Sequence, residues 1–243
     1  MNLLLKKFDL CLLCLFFVLS STGALAVNHS VPIFKAEYKL SHNKVEIGRV
    51  SLSVTPLANN QYRLSSSTQT SGLLAFVRDD DVLETSLFEL TEEHIRPLSY
   101  QYAQSLGDEQ RNIGLHFNWQ ELTLTNSSKG HDWTLPLTKG VLDKALMQVA
   151  LMLDLNDSGQ SLSYQIADGG RLKTYTFSHL GNETIKLGKT SYDTIKLARK
   201  KDDKPLITYY WCAKDLHYLP VLLQREKKYG TFEMRLLTVT FEH

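Results

Sequence analysis

Apolar and polar residues alternate along most of this chain, and that two-residue period constrains the fold more than any other feature. In Ile113, Leu115, Phe117 and Trp119 every second residue is large and apolar, with Gly114, His116 and Asn118 between them. Side chains that reach one face at every second position belong to a β-strand half buried on a core. The same alternation runs through Phe34, Ala36, Tyr38 and Leu40, through Val50, Leu52 and Val54, through Leu98, Tyr100 and Tyr102, and through Phe232, Met234 and Leu236. Turn signals separate these runs: residues 41–44, Asn59-Asn60, Gly107-Asp108, Asp168-Gly169-Gly170, Gly181-Asn182 and Gly188-Lys189. Asn, Asp and Gly suit such turns because they tolerate left-handed backbone or bond their own main chain. Gaps this short predict antiparallel neighbours, since a parallel pair needs a long crossover.

One segment departs from the alternation. Over residues 141–155 the apolar positions are Val141, Leu142, Ala145, Leu146, Val149, Ala150, Met152 and Leu153. That spacing predicts a helix of about four turns, capped at Thr138 or Gly140 and ended by Asn156-Asp157-Ser158-Gly159. A helix apolar over so wide an arc must be buried, and a sheet face is the available partner. The chain therefore reads as mainly β: a curved antiparallel sheet, or an open or closed β-barrel, with one principal helix packed on the concave face. About seven strands are expected before the helix and six after it. Residues 27–243 read as a single β-rich domain, with two sub-lobes split by helix 141–155 as the alternative.

The first 26 residues carry their own signal. Lys6 and Lys7 precede an apolar run at residues 10–19, and Ala24-Leu25-Ala26 follows as a small-x-small cleavage site. This is the layout of a secretory signal peptide cut after Ala26. The run falls short of the roughly 20 apolar residues that span a bilayer, so no permanent membrane span is expected after cleavage; an uncleaved anchor and a lipidated Cys11 or Cys14 are the competing readings. Cleavage leaves 217 residues, with 25 basic and 25 acidic side chains. Nucleic-acid binding leaves a basic excess, and none is present. Arg199-Lys200-Lys201 is answered at once by Asp202 and Asp203. Cys212 is then the only cysteine, so no internal disulfide forms and the core must carry stability. In the strand-like Tyr209-Tyr210-Trp211-Cys212-Ala213 it reads as a buried, inert thiol.

Motifs for chemistry are absent. The eight histidines form no pair four apart, the predicted helix has none, and no metal is expected. Gly-x-Ser-x-Gly, phosphate loops and dinucleotide fingerprints are missing, so no catalytic residues are named and no cofactor is expected. Asp79-Asp80-Asp81 reads as a solvated loop, and residues 71–76 as a bend, bulge or apolar loop. Aromatics suit pleated strands, but those near the helix–sheet boundary also suit a groove. The ligand-binding candidates are Phe117, Trp119, Leu142, Leu146 and Trp211.

The stretch from Trp211 to Val221 contains Trp211-x-Ala213-x-Asp215 and Leu219-Pro220-Val221. Physically it reads as hairpin construction: Trp211 near a strand end, Asp215 placed to bond turn amides, and Pro220 at a strand entry. This signature resembles a bacterial exported family known as domain-of-unknown-function family 3108. Phe34-Lys35-Ala36-Glu37-Tyr38 at the start, Gly48, Arg96-Pro97 and Gly140 with Asp143 agree with it in order. The resemblance implies an exported, periplasmic, β-rich protein and transfers no catalytic residue. A looser likeness to periplasmic lipoprotein carriers implies a curved sheet over helices with an apolar cavity. The functions expected are, first, a non-enzymatic periplasmic binding or carrier protein for an apolar ligand such as an acyl chain, or an acylated one. Second is a cell-envelope assembly or scaffold protein that binds envelope proteins through its sheet. An envelope enzyme with a site built from scattered residues is third.

Overall fold

The structure, a computed structural model, describes residues 30–71, 80–91, 94–107, 109–201 and 207–242. The expected signal peptide at residues 1–26, the segment 72–76 and the Asp202-Asp203 pair lie outside the described residues. Eight strands come first: β1 (Phe34–His42), β2 (Val45–Pro56), β3 (Gln61–Thr70), β4 (Asp80–Leu90), β5 (Ile95–Leu106), β6 (Glu109–Asn118), β7 (Thr123–Ser128) and β8 (His131–Pro136). A short β9 (Val141–Asp143) and the helix α1 (Met147–Asp154) follow. The last six strands are β10 (Leu162–Ala167), β11 (Leu172–Leu187), β12 (Thr190–Lys201), β13 (Thr208–Ala213), β14 (Leu219–Lys227) and β15 (Gly230–Phe241).

All fifteen strands join one open sheet in the order β8-β7-β6-β5-β4-β3-β2-β1-β15-β14-β13-β12-β11-β10-β9. Two meanders thus grow outward in opposite directions from a shared centre, where β1 pairs with β2 on one side and β15 on the other. Tight turns set the registers. Asn43 and Lys44 both take left-handed backbone between β1 and β2, as do Gly169 and Gly170 between β10 and β11. The period-2 pattern becomes rows of cross-strand neighbours on one face. One row runs Phe34, Val54, Leu64, Ser86, Tyr100, Leu115, Asn126 and Trp133 across eight strands. Every member but Trp133 is buried.

The sheet curls until its two ends touch without forming a ladder. The Trp133 indole N–H on β8 donates to the Gly170 carbonyl in the β10–β11 turn at 3.2 Å. Tyr100, Leu115, Phe117 and Leu124 from β5–β7 pack with Val141 of β9 and Ala167 of β10. Inside the curl lies α1, whose Met147, Val149, Ala150, Leu151 and Met152 are buried. They belong to the main core with Phe34, Tyr38, Phe88, Phe177, Ile195 and Leu236. The expected fold, a curved sheet with one helix on its inner face, is the one observed. Among the described residues no helix is long and apolar enough to cross a membrane.

Three details differ from expectation. The helix has eight residues, not fifteen, and Val141–Asp143 is extended as β9. The reason is Asp143, which is fully buried and accepts the Leu146 N–H at 2.8 Å, so the helix begins only after it. β9 then pairs parallel to β10, and the segment with α1 is the crossover such a pair requires. The expected Gly181-Asn182 turn is instead paired strand within the continuous β11, beside a bulge between His179 and Gly181. An extra strand, β8, stands where no alternation marks it, because nearly all of its side chains face solvent at the sheet edge.

Candidate functional site

The helix–sheet boundary encloses cavities on adjoining faces of α1. The larger, about 310 Å³, has apolar walls from Leu90, Ile95, Leu142, Ala150 and Leu153, with Tyr164 beside them. Thr91, His94, Asp154 and Ser163 also line it. The turn between β4 and β5 is tied by the Thr91 hydroxyl, which donates to the His94 carbonyl at 2.7 Å and accepts the His94 N–H. Burial, followed by the Asp154 carboxylate, pushes the Tyr164 hydroxyl above its usual range. It therefore stays protonated and donates to Asp154 at 2.9 Å.

The smaller cavity, about 160 Å³, lies between α1 and both arms of the sheet. Leu52, Leu64, Met147, Leu151 and Phe177 make it apolar, while Ser66, Glu84, Lys144, Gln148, Arg199 and Tyr210 give it polar corners. Glu84 accepts the Tyr100 hydroxyl at 2.6 Å and sits 3.4 Å from the Lys144 ammonium. Behind this pair the Ser86 hydroxyl donates to Asp143 at 2.5 Å. Burial pushes the Asp143 carboxyl up to about 6, against the opposing pull of Ser86 and the Leu146 and Ala145 amides. These groups bridge β4, β5 and β9 and fix where the helix starts. Asp143 and Ser86 are sealed from solvent, which suits a brace rather than contact with a ligand.

The five candidates from the sequence fall in different places. Leu142 lines the larger cavity. Leu146 is fully buried at the foot of α1. Phe117 and Trp119 stack at 6.3 Å, and Trp119 donates to the Pro97 carbonyl at 2.7 Å under the Arg96 guanidinium. Trp211 points to the opposite face from Tyr210 and Cys212. There its indole donates to Glu183 at 2.9 Å and the Lys196 ammonium lies 4.7 Å from its ring. The Trp211 and Lys196 hydrogen bonds hold the Glu183 carboxyl below its usual range. The remaining signature residues build a hairpin: Ala213 ends β13, Asp215 is exposed in a 3-10 turn, and Leu219, Pro220 and Val221 open β14 as buried residues. Sequence reasoning missed Leu90, Ile95 and Leu153 as cavity walls. Each reads as an ordinary apolar position, and only the curl of the sheet brings them together. Cys212 is fully buried, and burial pushes its thiol well above the usual range.

Over residues 37–237 the chain matches the family described as "Protein of unknown function (DUF3108)". It belongs to that family. The DUF3108 match takes in β2 to β14 entirely and with them both cavities. The fold is also similar to the crystal structure of a beta-barrel-like protein of domain of unknown function DUF1849 from Brucella abortus. The TM-score is 0.59 at 8% identity, over 87% of this chain and 98% of that one. That likeness establishes the barrel-like fold alone. No curated protein matches this chain.

Proposed function

We propose that this DUF3108 protein is an exported, periplasmic binding or carrier protein that holds an apolar ligand such as an acyl chain and performs no chemistry on it. The observation that carries the reading is the larger cavity. Its volume of about 310 Å³ falls at the lower end of the range for small-ligand sites, roughly 300–1,000 Å³. Aliphatic side chains from α1, β9 and the β4–β5 turn share its lining with the polar groups of Thr91, His94, Asp154, Ser163 and Tyr164. The aliphatic part gives the apolar surface of a ligand a place to leave water, and the polar part can meet a polar head. The signal-peptide layout supports export.

A fluorescent dodecanoyl probe tests this directly. The wild-type chain binds it saturably, and Leu153→Trp, which fills the cavity, weakens binding about tenfold or more while leaving the far-ultraviolet dichroism unchanged. Equal binding by both proteins places the probe elsewhere and contradicts the reading. A scaffold role has one observation in its favour, the outer edge of β8, where His131, Asp132, Trp133 and Thr134 are exposed and the ladder ends. Strand addition by a partner protein uses such an edge.

A further inference from the structure

Arg199 of β12, Thr208 of β13 and Arg225 of β14 are direct cross-strand neighbours in register, so the three side chains share one face. It is the inner face, because Arg199 also pairs with the fully buried Phe177 and lines the smaller cavity. The two arginines are two strands apart, roughly 10 Å between Cα atoms, within reach of a common point for side chains this long. The Arg199 guanidinium donates to the Thr208 hydroxyl at 3.3 Å and lies over the Tyr175 and Tyr210 rings at 5.1 and 5.5 Å.

Two positive groups placed together in a half-buried position repel each other and need an anion. Among the described residues the ion pairs engage neither arginine. The Nε atoms of both are buried with no acceptor. Burial, followed by the nearby charge of Arg199, lowers the ionisation range of Arg225. Glu84, the carboxylate that lines the same cavity as Arg199, is already engaged by the Tyr100 hydroxyl at 2.6 Å and the Lys144 ammonium at 3.4 Å. Arginine's planar fork of donors suits oxyanions, and two of them match the −1.5 to −2 charge of a phosphate monoester.

We propose that Arg199 and Arg225, with Thr208 between them, bind the phosphate group of an amphiphile whose chain lies on Leu64, Met147, Leu151 and Phe177. This goes beyond the carrier reading, since it concerns the smaller cavity rather than the larger one, and it names the chemical class of ligand that the smaller cavity takes. The shared chemistry, phosphate, also occurs free, so the test separates the sources. Octyl phosphate, 1-octanol and inorganic phosphate are titrated calorimetrically into the full chain, its Arg199→Gln and Arg225→Gln variants, and Arg199→Lys. Octyl phosphate binds at least about tenfold more tightly than either other probe, a margin set against octanol by charge-assisted hydrogen bonds and against inorganic phosphate by burial of the chain. Each glutamine variant loses about tenfold or more toward octyl phosphate and nothing toward octanol, while Arg199→Lys loses less than Arg199→Gln. Equal affinity for octanol and octyl phosphate, or variants that lose both alike, overturns the arginine site and leaves the carrier reading standing. Equal affinity for inorganic and octyl phosphate, lost in the glutamine variants, keeps the phosphate site and overturns the chain-binding part. No binding of any probe to the wild-type chain overturns the arginine site, while the dodecanoyl titration decides the carrier reading separately. Like-charge relief predicts that the glutamine variants unfold no earlier than wild type, so a loss of affinity is not a loss of fold.

Discussion

Gly170 leaves no room for a side chain. A Cβ there meets the Trp133 ring at 2.5 Å, and the backbone is left-handed at φ +77°. Gly107, at φ +57° with nothing within 4 Å of its Cβ, has the conformational demand without the contact. Gly170→Ala is therefore expected to cost about 1–3 kcal/mol more than Gly107→Ala, the typical range for overpacking, as measured by urea unfolding. Equal costs would mean that Trp133 does not rest on this turn. Asp143 gives a prediction in pH. Its carboxyl sits at about 6 in the folded chain and near 3.9 when unfolded, so the folded state holds the proton more tightly. The stability this contributes is full below about pH 4 and is lost as pH rises through about 6. Asp143→Asn cannot ionise and keeps an acceptor for the Leu146 amide. Going from pH 7 to pH 4, the stability of wild type relative to Asp143→Asn should rise by up to about 3 kcal/mol. A constant difference would show that the carboxyl titrates normally.

At the scale of elements, α1 is short but enclosed, and its stability comes from packing rather than from length. Leu151 is fully buried between both arms of the sheet. Leu151→Ala should cost about 2–5 kcal/mol in chemical denaturation, and a cost under 1 kcal/mol would contradict a tightly packed helix. Most of the strands were legible because half-buried strands print their geometry as a period of two. β8 was not, since an edge strand with Asp132, Trp133 and Thr134 exposed has no buried side to mark. The helix was legible as apolar spacing, but its start was not. Val141 and Leu142 fit either a helix or a strand buried on both faces, and only the three-dimensional position of Asp143 decides. The parallel pairing of β9 with β10 was hidden for the same reason. The site was less legible than the fold: Leu142 lines the larger cavity and was named in advance. Leu90, Ile95 and Tyr164 lie far from it in sequence, on separate elements that meet only when the sheet curls. Arg199 was read with Lys200 and Lys201 as a basic cluster answered by Asp202 and Asp203, yet alternation turns it inward while Lys200 faces water.

For the whole molecule, two meanders spread from the β1–β15 pair and bend until β8 reaches the β10–β11 turn. The contact across the gap is made by side chains: Trp133 on Gly170, Ser86 on Asp143, and the apolar packing of Leu115 and Phe117 near Val141 and Ala167. A sheet joined this way encloses an interior without a continuous ladder, and α1 fills only part of it. Under the proposed function the remaining space holds an apolar chain. Native mass spectrometry of the protein released gently from the cells that make it tests this most directly. A carrier shows a bound mass of a lipid or acylated compound on the wild-type chain and its loss in Leu153→Trp. Wild-type protein that carries no adduct, or an adduct unchanged in Leu153→Trp, would contradict it.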